Sequence, residues 1–534
     1  MSQEPLRGTG RSIPAASHAR RRVAVVGAGP SGLVAAKSLQ EEGLEPVVFE
    51  QADGVGGQWY GPSAHSGVWP GMRANTSKTL DTFSDLPPAD SLPMFPRVEE
   101  LRDYLRSYAK TFDLDPLIRL KTPVRRIERD DGRWRVVAGD GSGERFDGVV
   151  VASGRFNRPH RPAIEGLEGF AGQVVHSFHY RGRDAFRGQR VVVLGNSVSG
   201  TEIASDLAID DSIRVTAAIR KPRYVIPRVS RGVPSDWRFF TRFSAYLAMG
   251  LPPEAVADGM KRLILDVSGH PSQYGAPAPH ENLLVAQITL CQHWLAYVAE
   301  GRIRCRPAIV AVRGRTVVYA DGREEEADAI VTATGYELSL PFLSDDVRRT
   351  LNADSTGLDL YVHTFHPDLP GLAFIGQYIL IGPYAPCVEL QARWTAMVWS
   401  GVRELPPRDR MERGIEAWRD IRKLTPNLLL SPLAVALSQE AGVAPDLAAR
   451  PEITRHLLFG PLAPAQFRLD GHGRRAEALE LYKRAISAFG GDTSPVPTAE
   501  ELRELRMLVG ALGDRAPELV TALQTLERLA AQQR

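Results

Sequence analysis

The 534 residues are 43% hydrophobic and 24% charged, enough to bury more than one core, so two or three domains are expected. With 65 Lys+Arg against 63 Asp+Glu the net charge is only +2, which gives no overall field for nucleic acid or a membrane surface and leaves small-molecule chemistry as the default. Three scattered cysteines, Cys291, Cys305 and Cys387, form no CxxC; they suggest neither a disulfide framework nor a metal site and fit a reducing cytoplasm.

Residues 1–22 are polar, rich in Ser, Pro and Arg, and carry no apolar run, so a disordered leader is expected. No stretch approaches the roughly 20 apolar residues that a membrane helix needs. From residue 23 the pattern is strand (23–26), glycine-rich turn, helix (31 to about 42) and strand (47–50), the first half of a parallel βαβ unit. The turn is Gly27-Ala28-Gly29-Pro30-Ser31-Gly32. In such a GxGxxG the first glycine makes the tight turn, the second lets a pyrophosphate approach the backbone, and the third lets helix and strand pack closely. The hexapeptide alone is a weak signal, and its place between strand and helix gives it meaning. Glu50 ends the second strand 18 residues after Gly32, where a carboxylate accepts the ribose hydroxyls of an adenosine.

A helix is expected after Pro96, with Leu101, Tyr104, Leu105 and Tyr108 on its buried face. Two β-like runs follow (124–127 and 134–138), then a turn at Asp140-Gly141 and a buried strand (149–152) that should return to the first sheet. A second βαβ pattern runs from strand 191–194 through Gly195-Asn196-Ser197-Val198-Ser199-Gly200 to a helix near 199–207 and a strand over 215–220. Ser197 stands where the middle glycine is usual. Arg220 and Lys221 lie 20 and 21 residues after Gly200, where an NAD-binding unit would carry Asp or Glu. A guanidinium there pairs with a 2′-phosphate and favours NADPH, although two solvated charges are the plainer alternative.

Residues 224–301 contain aromatic and proline clusters without a clear period and could line a substrate pocket. Alternating runs resume around Ile309 and Val317, turn at Asp321-Gly322, and lead to an apolar strand (329–333) that stops at Thr334-Gly335-Tyr336 and should rejoin the first sheet. A further strand (373–375) ends at Gly376, and a helix from about Glu389 carries Leu390, Trp394 and Met397. From about Pro406 helices and loops are expected. After Pro497 a capping box, Thr498 with Glu501, opens a leucine-rich helical pair to which no chemistry is assigned.

These elements predict an α/β fold with two Rossmann-like dinucleotide-binding domains and a mainly helical C-terminal extension. The expected plan is a leader (1–22), an FAD-binding domain in two parts (23–165 and 331–405), an NADP-binding domain (166–330) with the insert 224–301, and a helical region (406–534). Two dinucleotide turns in one chain imply a flavin and a nicotinamide that exchange electrons, and without a CxxC the electrons must go to oxygen or another acceptor.

Beyond the turns, Phe170, Gly172, His176, Tyr180 and Arg181 form FxGxxxHxxxY followed by a base, between the two glycine turns. With Gly56-Gly57-Gln58-Trp59, Asn75-Thr76-Ser77-Lys78, Phe83-Ser84-Asp85, Ala333-Thr334-Gly335-Tyr336 and Glu389-Leu390-Gln391-Ala392-Arg393-Trp394, the chain resembles the flavin-containing monooxygenases, which include the dimethylaniline and trimethylamine N-oxygenating enzymes. The resemblance spans about residues 23–394, and more weakly to about 473. It implies FAD contacts at Gly27, Gly29, Gly32, Glu50, Gln58, Trp59 and Thr76, and NADP contacts at Ser199, Gly200 and Thr201. Ala28, Pro30, Ser31, Gly195, Arg220, Lys221, Gly335 and Gly376 complete the expected cofactor-binding set. Asn75 would sit beside the isoalloxazine as the catalytic residue. His176 and Tyr180 read more readily as hydrogen-bonded anchors than as bases, and Trp59 and Trp394 equally well as core aromatics.

The resemblance further implies a reaction in which NADPH reduces FAD and a flavin C4a-hydroperoxide, kept from water, oxygenates a small amine or sulfide. Nucleic acid and membrane are not expected as partners, and a homodimer is left open. One alternative is a Baeyer–Villiger monooxygenase acting on a ketone, although that sister family's motif typically ends in Trp followed by Pro or Asp, not Tyr180-Arg181. A second alternative is an FAD- and NADP-binding redox sensor without oxygenase activity.

Overall fold

Valine-rich runs without polar alternation make strands buried on both faces, and here they build the centres of two parallel sheets. The computed structural model describes residues 21–425 and 427–532; most of the expected leader lies outside them, but Arg22 already belongs to the first strand. β1 (Arg22–Val26) passes through the first glycine turn into α1 (Pro30–Glu41) and returns as β2 (Glu45–Phe49), parallel to β1. α2 (Val98–Thr111) buries Leu101, Tyr104, Leu105 and Tyr108, the expected helical face. β3 (Ile118–Arg119) extends the sheet beyond β2. A small antiparallel meander of β4 (Val124–Asp130), β5 (Arg133–Ala138) and β6 (Gly143–Phe146) precedes β7 (Gly148–Val151), which pairs with the other side of β1.

The second sheet contains β8 (Gln173–His176) and β9 (Arg190–Leu194), the latter followed by α3 (Val198–Leu207) and β10 (Arg214–Ile219). The segment without readable period holds α4 (Ser235–Phe239), α5 (Arg242–Gly250), α6 (Pro253–Ser268) and a single helical turn (Leu283–Ala286) before α7 (Trp294–Ala299). Trp294, Leu295 and Val298 of α7 pack into the core under the second sheet. β11 (Ile303–Pro307) is the edge strand beside β10. A second meander, β12 (Ile309–Arg313), β13 (Thr316–Tyr319) and β14 (Glu324–Glu326), leads into β15 (Ala329–Thr332). The order is β11-β10-β9-β15-β8, all parallel.

One expectation is corrected here. β15 pairs with β9, Val191 opposite Ala329 through Leu194 opposite Thr332, so residues 329–333 complete the second sheet and not the first. By hydrophobic pattern the strand fits either sheet; its entry is decided by Asp328, which accepts the Arg190 backbone N–H at 2.9 Å and its guanidinium at 3.0 Å. The first sheet is instead closed by β16 (Leu372–Phe374), parallel to β7.

α8 (Ala385–Ser400) is buried along most of its length, so it is apolar on two faces. Ala385, Val388, Ala392 and Ala396 pack with α1, while Cys387, Leu390, Trp394 and Met397 face a core shared with the insert and the C-terminal helices. Those helices are α9 (Arg408–Leu424), α10 (Leu430–Glu440), α11 (Pro451–Phe459), α12 (Ala478–Ser487), α13 (Ala499–Leu512) and α14 (Pro517–Gln532). The Thr498–Glu501 capping box forms in both directions. α13 and α14 bury Leu502, Leu505, Leu508, Leu519 and Leu526 against Trp237, Phe243 and Tyr246 of the insert, so the tail is seated on the insert.

Candidate active site at two glycine turns

The two turns repeat one geometry. Gly27 has φ +103°, and a Cβ there would lie 2.7 Å from the carbonyl oxygen of Ala152, just past β7; Gly195 has φ +115°, and its Cβ would lie 2.5 Å from the oxygen of Ala333, just past β15. α1 begins after Gly29 and α3 after Ser197, and neither N-cap carries a side-chain cap bond, which leaves first-turn N–H groups for an anion. Both turns therefore have the donor set and bare backbone that a pyrophosphate needs.

Around the first turn the expected residues converge. The buried Glu50 carboxylate accepts the N–H of Ala28 at 2.7 Å and of Ala52 at 2.8 Å, and keeps lone pairs for hydroxyl donors. Gln58 and Trp59 lie in a short 3-10 turn (Gly57–Tyr60) tied to the glycine turn by the Gly56 N–H on the Ala28 carbonyl, 2.9 Å. Gly376, φ +70°, would bring a Cβ to 2.9 Å from Ser31 Oγ, so it lies against the start of α1.

Around the second turn, Ser199 is half-buried and Gly200 buried in the first turn of α3. Thr201 is fully buried with its hydroxyl donating back to the carbonyls of Ser197 and Val198, so its side chain is spent inside the helix. Arg220 and Lys221 are exposed and have no ion-pair partner among the described residues. Asn196, in the amide orientation that satisfies both neighbours, bonds the Lys221 carbonyl at 3.0 Å and the Arg223 N–H at 3.2 Å, tying the turn to the basic strand end. Gly335 follows Ala333 and so belongs beside this turn, not the first; its expected place changes with that of β15.

Asn75 is half-buried and its side-chain oxygen, wholly shielded from water, has no protein partner. A buried carbonyl left without a donor is costly, so a missing hydrogen-bond partner is a natural reading of this atom. Beside it Thr76 Oγ1 donates to Asp81 at 2.6 Å, and Arg228 of the insert donates to the Ala74 carbonyl at 3.2 Å.

His176 and Tyr180 are anchors. Tyr180 is fully buried and donates to Asp206 on α3 at 2.5 Å, and His176 Nδ1 accepts the Phe178 N–H at 3.1 Å. Burial pushes the imidazole down to about 4, so it is neutral at pH 7. Arg181 donates to the carbonyls of Phe178, Tyr180, Ser63 and Ser66, stitching the linker to the Gly61–Ser66 loop. Trp394 is a core aromatic, fully buried against Phe365 and Tyr361. The Ser84 and Asp85 segment and the Glu389 to Arg393 segment meet in a buried charge network with Lys37 and Arg468.

Sequence reading passed over Ala152-Ser153-Gly154-Arg155. The signal was present, since it ends β7 as Ala333-Thr334-Gly335 ends β15. Gln377, in the amide orientation that satisfies both groups, bonds the Gly154 N–H and carbonyl at 3.2 Å. Arg155 is buried, donates to the Ser355 carbonyl at 3.1 Å, and has two nitrogens without a partner. These residues gather at the carboxyl ends of β7 and β16, where ligands of parallel sheets bind. A cavity of about 290 Å³ bordered by Ser38, Glu41, Arg393 and His472 lies at the opposite end of α1 and is no part of this site. Among the described residues no helix is long and apolar enough to cross a membrane, and no group of three or more His, Cys, Asp or Glu could hold a metal ion.

Comparison with known proteins agrees with this geometry. The family model described as flavin-binding monooxygenase-like matches residues 20–488. Dimethylaniline monooxygenase (N-oxide-forming) 2 of Rattus norvegicus is 34% identical over 484 residues, 85% of this chain and 89% of the relative. Flavin-containing monooxygenase 5 of Oryctolagus cuniculus is 32% identical, covering 85% and 90%. Among solved structures, S-allyl-L-cysteine S-oxygenase from Allium sativum superposes with a TM-score of 0.59 at 22% identity over 95% of this chain and 99% of that one. NADP+-bound cyclohexanone monooxygenase from Rhodococcus sp. Phi1 gives 0.60 at 19%, covering 80% and 98%. The last two share the fold, and the match across residues 20–488 places this chain in the flavin-binding monooxygenase-like family.

Proposed function

We propose that the protein, an NADPH-dependent flavoprotein monooxygenase by family, oxygenates a nucleophilic nitrogen or sulfur atom of a small molecule, with FAD at the first glycine turn and NADP at the second. The observation that carries this reading is the 34% identity, over 85% of the chain, to a dimethylaniline monooxygenase that forms N-oxides. The two parallel sheets are read as Rossmann-like units: residues 23–165 with 331–405 for FAD, residues 166–330 with the insert 224–301 for NADP, and 406–534 as helical cover. The strand at 329–333 is moved to the NADP unit and Gly335 with it, as β15 requires.

FAD supplies what no side chain has, taking a hydride from NADPH and passing electrons to O2. The chain's own residues bind, orient and shield. Gly27, Gly29, Gly32 and the first N–H groups of α1 receive one pyrophosphate, and Glu50 accepts ribose hydroxyls. Ala28, Pro30, Ser31, Gln58, Trp59, Thr76 and Gly376 border that cofactor. Gly195, Ser199, Gly200 and the backbone of Thr201 receive the second pyrophosphate, while Arg220 and Lys221 answer a 2′-phosphate. Asn75, whose side-chain oxygen has no protein partner, would accept a hydrogen bond from an N–H of the bound redox centre. No side chain needs to act as acid or base on a soft amine or sulfide, which agrees with the neutral, anchored His176.

Turnover with isotope-labelled O2 tests the reading. Purified flavoprotein given NADPH and, separately, dimethylaniline, an alkyl sulfide and cyclohexanone should yield N-oxide or sulfoxide carrying one labelled oxygen per NADPH consumed. Ester from the ketone with no N- or S-oxide would make it a Baeyer–Villiger enzyme, and NADPH use without organic product would make it a redox protein.

A further inference from the structure

Two carboxylates lie against the Asn75–Ser77 segment with no ion-pair cation on either among the described residues, Asp236 buried and Asp81 half-buried. Asp81 accepts the Thr76 hydroxyl at 2.6 Å. Asp236, 2% exposed and on α4 of the insert, accepts the Ser77 N–H at 2.5 Å, and its other oxygen is buried with no partner. Neither forms an ion pair among the described residues. Of the basic side chains nearby in the chain, Lys78 is engaged on the carbonyls of Ala89, Asp90 and Leu92, Arg73 on that of Phe95, Arg228 on that of Ala74, and Arg242 of α5 on the Gln466 amide, while Arg238 of α4 bonds to neither carboxylate. Trp237 of α4 donates to Thr79, so the facing contacts are polar and uncharged except for the two carboxylates themselves.

Burial raises Asp81 to about 7, against the Thr76 bond that lowers it, and the neighbouring Asp236 adds repulsion. Burial likewise raises Asp236 to about 6. The Asp236 charge opposes ionisation of Asp81, so the Asp81 carboxyl holds a proton near neutrality. The protonation state has a structural consequence. An ionised Asp81 can only accept, which directs the Thr76 O–H at it and leaves Thr76 presenting lone pairs; a protonated Asp81 can donate to Thr76 Oγ1, which releases the Thr76 O–H towards another acceptor.

We propose that Asp81, with the Asp236 charge opposing its ionisation, is a positioning residue that switches the Thr76 hydroxyl between hydrogen-bond acceptor and donor towards the flavin beside Asn75. The proton comes from and returns to solvent, and no electron moves. This rests on the reading of Asn75 and Thr76 as flavin neighbours.

The test is the visible absorption of the oxidised holoenzyme titrated from about pH 5.5 to about pH 8.5, a range that holds the raised carboxyl and none of the ordinary ones. The wild type should show a one-proton change in the flavin bands near neutrality. Asp81→Asn should abolish it and Asp81→Glu restore it. Asp236→Asn, which removes the like charge, should move it down by about one pH unit. A wild-type holoenzyme with no transition, or an Asp81→Asn holoenzyme with an unchanged one, overturns the proposal. If Asp81→Asn cannot be prepared with flavin, the Asp236→Asn shift decides, and an absent or upward shift overturns it. Protein that takes up no flavin at any pH overturns the underlying reading and this proposal together; flavin without a transition overturns this proposal alone.

Discussion

A Cβ on Gly200 would stand 2.1 Å from the carbonyl oxygen of Gly195, and in the first turn Gly32 stands in the same relation to Gly27 at 1.8 Å. Backbone cannot yield to such a contact without moving the helix off its strand. Gly200→Ala should therefore keep FAD while its KM for NADPH rises about ten-fold or more, a loss of at least about 1.4 kcal/mol. Gly32→Ala should lose flavin. Flavin absorbance per protein and titration with NADP+ separate the two, and equal loss of both cofactors in either variant would contradict the assignment of one turn to each.

Asn75→Ala removes the one amide oxygen that the protein leaves unanswered in this segment. Flavin content should hold, while oxygenated product per NADPH falls by about ten-fold or more and hydrogen peroxide rises to match. The ratio of product to NADPH consumed is the measurement, and an unchanged ratio removes Asn75 from the chemistry.

Arg220 and Lys221 are exposed and have no ion-pair partner among the described residues, so replacing both by Ala should leave folding untouched. The KM for NADPH should rise by about 10- to 100-fold while that for NADH changes little, because only the 2′-phosphate is lost as a partner. Added salt should weaken NADPH binding in the wild type more than in the double variant.

Asp85 is buried between Lys37 at 2.5 Å and Arg468 at 3.5 Å, each of them also nearly inaccessible. Asp85→Asn leaves Lys37 only Glu41 and Arg468 only Glu389, so the cost should fall below the about 3–5 kcal/mol of a buried charge left with no partner. The expected outcome is a lower urea midpoint with little change in cofactor affinity for whatever folds. An equal urea midpoint would mean that water reaches the cluster.

His176 has its ordinary 6.5 pushed down to about 4, by burial above all. As pH falls, the unfolded chain takes up this proton first, so the stability held above pH 6.5 is lost between 6.5 and about 4. Asn in its place can accept the Phe178 N–H with its side-chain oxygen and does not titrate. His176→Asn should make the thermal midpoint fall less steeply over that window than in the wild type; parallel curves would show that other groups govern the acid limb.

Much of the candidate site was legible because its signals are local. The spacing of Gly27, Gly29 and Gly32 after a valine strand, the place of Glu50 at the end of the next, and the bases after Gly200 are each set within one βαβ unit, and the folded chain brings them together around two turns. The Phe83-Ser84-Asp85 and Glu389 to Arg393 segments marked the family, yet in the fold Ser84 donates to Glu389 and Arg468 bridges the two in the interior. Pattern reading sees that such residues recur together and not which of them face a ligand. The Asp81 and Asp236 pair was invisible for the same reason, since 155 positions of chain separate two acids that come to bond adjacent residues only after the insert packs on the Asn75 loop.

The sequence by itself determined the elements that depend on neighbours within a turn or a strand: the two glycine turns, the amphipathic α2, the capped α13 and the expectation of two dinucleotides. Tertiary structure alone decided that residues 329–332 pair with β9 and that β16 closes the first sheet. It also decided that the C-terminal pair covers the insert, and that Thr201 spends its hydroxyl on its own helix. The reason is physical: a buried parallel strand reads as the same run of Val, Ile and Ala whichever sheet receives it, and its partner is chosen by contacts such as Arg190 with Asp328, 138 residues apart.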